Sequence, residues 1–107
     1  MALTVSSVIQ DTPTAKSFVI QVPEADAINV DTTLTFTTSG MTVFRGVPYV
    51  FAVQNVTPSG TVVTGACNIA IFTATTTNFH VQKTAVAAGA VNQLFQVTMI
   101  CKNPYEV

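Results

Sequence analysis

The sequence predicts an all-β domain, a single-domain sandwich or barrel of about seven to eight mainly antiparallel strands with an extended N-terminal arm. Three observations lead there. Apolar residues recur at every second position rather than at helical spacing. Thr and Val, which fit a pleated and half-buried surface, recur throughout the chain. Gly and Pro punctuate it at intervals that suit short strands. The length of 107 residues suits one domain, and 49% hydrophobic residues suffice for a core.

The elements follow in order. Residues 1–13 read as an arm, with Leu3, Val5, Val8 and Ile9 apolar but without a clear sheet pattern. The arm is expected either to lie on a neighbouring molecule or to pair at a sheet edge. The body runs over residues 14–107. Residues 18–22 form a short strand stopped by Pro23, and residues 33–37 alternate, with Leu34 and Phe36 on one face. Ser39-Gly40 signals a turn, so residues 33–37 and 41–45 are expected to pair as a tight hairpin. Residues 49–54 are aromatic and β-branched, with Pro48 suiting a strand start or an edge. Residues 57–60 carry the strongest turn signal, Thr-Pro-Ser-Gly. In residues 67–75 both faces are partly apolar, which predicts a central strand. Residues 78–82 form another short strand. Residues 93–102 form the longest clean one, ended by Asn103-Pro104. The only helix candidates, residues 23–27 and the Ala-rich stretch before Gly89, are too short to exceed a turn.

Charge is the unusual feature. Only 8% of residues are charged, against about 25% in an ordinary soluble domain. The polar surface must then consist of Thr, Ser, Asn and Gln, which hydrogen-bond but do not repel one another. Such a surface protects poorly against self-association. The net charge is −1, and the four cations, Lys16, Arg45, Lys83 and Lys102, are scattered. No clustered Lys and Arg exist for nucleic acid or for an anionic membrane surface. No run approaches the roughly 20 apolar residues of a spanning helix. Nothing at the N-terminus resembles a signal peptide, so the expected compartment is the cytosol or a particle assembled there.

No residue set announces catalysis. His80 has no Ser, Cys or carboxylate at motif spacing and alternates with Asn78 and Gln82, so it reads as a surface or structural residue. Glu24, Asp26 and Asp31 form a loose acidic stretch. It matches neither a two-carboxylate hydrolase nor a calcium loop and reads as solvated charge. Cys67 and Cys101 read as buried reduced thiols, with a disulfide between them as the alternative. A single His and no Cys-x-x-Cys argue against zinc. Asn55-Val56-Thr57 fits the glycosylation triplet, but with no secretion signal it reads as chance. Tyr49, Phe51, Phe44 and Tyr105 are candidates for a carbohydrate platform, though aromatics in strands belong more often to a core. No cofactor, metal or catalytic residue is expected, and the chain is not read as an enzyme.

The leading Met-Ala-Leu-Thr arm, the Thr/Val-rich all-β body, the few charges and the short tail ending Asn103-Pro104-Tyr105-Glu106-Val107 resemble the small structural proteins of tailed bacteriophages. The nearest class is that of capsid decoration, or cement, proteins. The resemblance covers the whole chain through composition and layout. It implies a protein that binds the outside of an expanded capsid, as trimers or dimers at symmetry axes, and strengthens the shell. The implied partners are the major capsid protein and further copies of this chain, as homotrimer or homodimer, with no nucleic acid and no membrane. The implied location is the capsid exterior of a virion assembled in the host cytoplasm. The contact residues would be Leu3, Val5, Val8 and Ile9 of the arm. Three alternatives stay open: a head-fibre base or tail component, a host- or glycan-binding β-sandwich displayed on a surface, and a small secreted bacterial module.

Overall fold

The computed structural model describes residues 3–22, 30–57, 68–85 and 93–101. Seven strands run β1 (Thr4–Asp11), β2 (Ala15–Val22), β3 (Thr32–Thr35), β4 (Pro48–Asn55), β5 (Asn68–Phe72), β6 (Asn78–Ala85) and β7 (Gln93–Cys101). They form two antiparallel sheets, one ordered β1-β2-β7-β4 and the other β3-β6-β5. The all-β fold class is therefore as the alternation required. The strand expected over residues 18–22 ends at Val22 as β2, and residues 1–2, 23–29, 58–67, 86–92 and 102–107 lie outside the described residues. With them lie the Thr-Pro-Ser-Gly turn beyond Thr57, both helix candidates, Cys67 and Tyr105.

Period-two patterning decides which faces meet. Along β7 every odd residue from Gln93 to Cys101 is buried and every even one is half-buried. β2 turns Lys16, Phe18, Ile20 and Val22 inward, opposite Met99, Val97, Phe95 and Gln93. The smaller sheet contributes Phe79 and Val81 from β6 and Ile69 from β5. Phe18 and Phe79 join the layers, with ring centroids 5.5 Å apart. Phe36 continues the aromatic chain, 5.4 Å from Phe79 and 5.1 Å edge-on to Phe44.

Two expectations about strand pairing need correction. Residues 33–37 and 41–45 do not form a hairpin. A 3-10 turn at Thr37–Ser39 and a left-handed Gly40 (φ 86°) close the chain back on itself, and Met41 N–H donates to Phe36 O at 2.8 Å. Residues 41–47 then run as a loop that buries Met41 and Phe44. β3 pairs with β6 instead. The loop closes one end of the sandwich, because Phe44 N–H donates to Thr76 O and Arg45 N–H to Pro13 O, both at 2.8 Å. A one-residue change of phase, with inward residues three apart, suits a loop crossing the end of a sandwich better than a strand. The second correction concerns β5. It lies at an edge of its sheet among the described strands, and β6 is central. Ala70 is small and Phe72 is 38% exposed, so the apolar residues on its outer face are not covered.

The expected arm is, over its described part, the edge strand β1. Pairing at a sheet edge was one of the two placements open to it. Leu3 enters the core at 1% exposure, and Val5 packs against the core opposite Ile20. Register shifts between Val5 and Ser7 and between Val8 and Gln10 interrupt the ladder.

The core contains charge. Lys16 and Lys83 are both fully buried. The Lys16 ammonium contacts the Asp11 carboxylate, donates to Thr12 O at 3.0 Å and to Thr42 Oγ1 at 3.1 Å, and lies 4.9 Å from the Phe44 ring centroid. Asp11 also accepts from Thr42 N–H at 3.0 Å. One end of β1 is thereby tied to β2 and to the 41–47 loop. Burial alone raises the Asp11 pKa, but the hydrogen bond from Lys16, those from Thr42 and the attraction of the ammonium outweigh it and hold the carboxyl below its ordinary value. Cys101 is a buried free thiol, 3.5 Å from Pro13 O and from Gly46 O.

Three predictions follow from this packing. Lys16 is fully buried while the Asp11 side chain keeps 22% exposure, so the two partners are not equivalent. Asp11→Ala strands a buried ammonium and should cost roughly 3–5 kcal/mol, whereas Lys16→Met lets the carboxylate rehydrate and should cost clearly less. Urea denaturation measures both, and the opposite order would refute the assignment. The depressed Asp11 pKa contributes stability above about pH 4 that is lost as pH falls through the folded value, so Asp11→Ala should flatten the acid limb of stability against pH. Separately, Leu3→Ala should cost roughly 2–5 kcal/mol by removing a buried side chain, and a melting temperature equal to wild type would place Leu3 outside the core.

Candidate functional site

In an antiparallel pair, residues directly opposite share a face, so the register gives the outer surface of the four-stranded sheet row by row. Ser7, Val19, Gln96 and Gln54 form one row. Gln10, Ser17, Thr98 and Ala52 form the next. Thr4, Gln21 and Leu94 lie towards one end, and Ala15, Ile100 and Tyr49 towards the other. No position of this face is Asp, Glu, Lys or Arg. Its polar groups bond to one another: Gln96 Nε2 donates to Ser17 Oγ at 3.2 Å, and Ser17 and Thr98 hydroxyls lie 3.3 Å apart.

The edge strands of this sheet carry exposed apolar residues, of which Val8 and Val53 stand opposite the core residues Phe18 and Val97, on the inner side. On β4, Tyr49 is 40%, Phe51 65% and Val53 40% exposed, and on β1, Val8 is 37% and Ile9 58%. Polar groups fix the far end of β4. Asn55 Nδ2 and Thr57 Oγ1 donate to the buried Gln93 Oε1 at 3.0 and 3.2 Å, Thr57 N–H donates to Asn55 Oδ1 at 2.9 Å, and Thr57 Oγ1 accepts from Leu94 N–H at 2.9 Å. The Asn55-Val56-Thr57 triplet is thus a structural turn with its amide engaged. The outer face of the smaller sheet also lacks Asp, Glu, Lys and Arg over the paired positions, but it is narrower.

The residues singled out in the sequence divide. Of the four arm residues, Leu3 and Val5 face the core, while Val8 and Ile9 are exposed. Of the four aromatics, Phe44 is a core residue, Tyr49 and Phe51 are exposed on β4, and Tyr105 lies outside the described residues. A platform built from all of them is not assembled. Glu24 and Asp26 also lie outside the described residues.

His80 has a carboxylate partner that sequence spacing did not show. Its Nδ1 lies 2.9 Å from both Asp31 oxygens and 3.3 Å from Thr33 Oγ1. The Phe72 ring is 5.5 Å away, centroid to centroid. β3 beside β6 makes this contact, because Thr33 is the register partner of His80 and Asp31 immediately precedes β3. Nothing local in the sequence reveals that pairing. Both oxygen partners address the same ring nitrogen. A nucleophile–base–orienter relay needs them on opposite nitrogens, so these three residues make a surface hydrogen-bond cluster rather than a relay.

Comparison with known protein families, with curated proteins and with solved structures finds no match for this chain.

The uncharged face makes its own prediction. Gln10 and Gln54 are exposed on it at opposite edges. Gln10→Lys and Gln54→Lys together should leave monomer stability within about 0.5 kcal/mol while raising solubility and lowering self-association. Light scattering and a urea melt check the two halves, and unchanged light scattering would show that the face takes no part in association.

Proposed function

We propose that this chain is a structural virion protein, a capsid decoration or cement protein that stabilises a tailed-phage head by binding the capsid surface and neighbouring copies. The observation that carries the reading is the uncharged outer face of the four-stranded sheet, whose edge strands carry exposed apolar residues, Val8 and Ile9 on β1 and Tyr49, Phe51 and Val53 on β4. Many copies held side by side must not repel one another, and a face without like charges meets that condition. Exposed apolar side chains at the edges give each copy something to bury. Repetition across a shell turns modest contacts into a strong attachment, because each further contact is made at high effective concentration. The major capsid protein and the chain itself are the partners in this reading, and the capsid exterior is its location.

Quantitative mass spectrometry of washed particles from the source tests this directly. The expected result is a copy number in fixed ratio to the capsid protein, together with shells that rupture more easily when the chain is missing and recover when it is added back. Its absence from washed particles would overturn the reading. The glycan-binding alternative retains Tyr49 and Phe51 as its exposed aromatics. Saturable binding to an oligosaccharide array that Phe51→Ala abolishes, with no particle association, would favour it instead.

A further inference from the structure

The two edges of the larger sheet are not alike, and the difference identifies one of them as an interaction surface. β1 is a blunted edge. Two register shifts break its ladder, and its end is held by the Asp11–Lys16 contact. β4 has one register shift, at Phe51, and no charged residue along its length. Among the described residues its outer edge has no neighbouring strand. Natural proteins protect such edges with charges, with proline in mid-strand or with repeated bulges. β4 has its only proline at the first position, Pro48, where it leaves the remaining backbone free to pair.

We propose that β4 pairs antiparallel with β4 of a second copy, across a twofold axis, so that two four-stranded sheets join into one of eight strands. Backbone groups on an open edge are hydrated when the chain is alone and form a ladder when another extended strand is added. Antiparallel self-pairing brings each side chain near a residue of the same strand, so any charged residue would risk meeting its like. β4 has none, and no opposite charge is available for an acidic or basic partner to match. Phe51, the most exposed large apolar side chain described, loses water only if something covers this edge. The contact is limited in size. Eight residues at about 3.3 Å each, with a sheet thickness near 10 Å, give roughly 260 Å² per copy. The total of roughly 500 Å² is below the low end of about 1,200 Å² for stable complexes. The dimer is therefore weak and concentration-dependent in free solution, and permanent only where copies are already held together. The pairing does not depend on the capsid reading, although an array would exploit it.

Sedimentation velocity over a concentration series tests the proposal on the full-length chain. The expected result is a monomer–dimer equilibrium that Phe51→Lys and Val53→Lys each shift at least tenfold towards monomer. Ile9→Lys, on the opposite edge, should leave it unchanged. Thermal melts establish that each variant is folded. Should either lysine variant fail to fold, hydrogen exchange of the wild type reads the same edge, with slower exchange expected for β4 amides at high concentration and no change in β1. A wild type that stays monomeric throughout, a dimer insensitive to the β4 substitutions, or concentration-dependent protection in β1 would each overturn the proposal. A confirmed dimer with no chain in washed particles would leave this pairing standing and remove the capsid reading.

Discussion

An ammonium group inside a sandwich must be matched, and Lys16 is matched on every side. Asp11, Thr12 O and Thr42 Oγ1 satisfy its donors, and Phe44 lies below it as an aromatic face. These partners come from the end of β1, the turn after it and the loop that crosses the sandwich end. The edge strand, the loop and the central pair β2–β7 are therefore held in one arrangement by one charge. Removing water from an ammonium costs several kcal/mol unless such partners are supplied. That cost is a reason for the chain to adopt this loop path rather than the hairpin that Ser39-Gly40 suggests.

The same burial changes the exterior. Two of the four cations, Lys16 and Lys83, are inside, which leaves a surface with even fewer charges than the composition implies. Threonine, serine and glutamine, interspersed with uncharged apolar residues such as Val19, Leu94 and Ile100, make up the outer face of the larger sheet, and Ser17, Thr98 and Gln96 bond among themselves. A face of this kind is held in water by neutral hydrogen bonds alone. It resists neither close approach of its own copies nor burial against an uncharged partner. The physical case for an assembly role rests there, and it connects core to surface: the charge that orders the interior is missing from the outside.

The fold class was legible because alternation is a local property. The β7 pattern and the inward Phe18, Ile20 and Val22 of β2 follow from a simple reading of every second residue, and the start of β4 at Pro48 follows from the chemistry of proline. The site was less legible. Leu3, Val5, Val8 and Ile9 look alike in sequence, yet two bulges and the buried N-terminal end send Leu3 and Val5 inward and leave Val8 and Ile9 exposed. Tyr49 and Phe44 are both aromatic and near a strand, but one lies on an open edge and the other under the Lys16 ammonium. Asp31 meets His80 only because β3 takes β6 as its neighbour.

By itself, then, the sequence determined a β-rich domain, its strand phases, a core of the inward residues, and an exterior too poor in charge to repel its own copies. Tertiary structure decided strand order, which edges stay open, and where the lysines go. The physical reason is range. Which face a residue takes depends on its immediate neighbours, whereas a strand's partner and a buried charge's partner are set by residues far along the chain, by the need to satisfy each backbone group and each ion once the layers have closed.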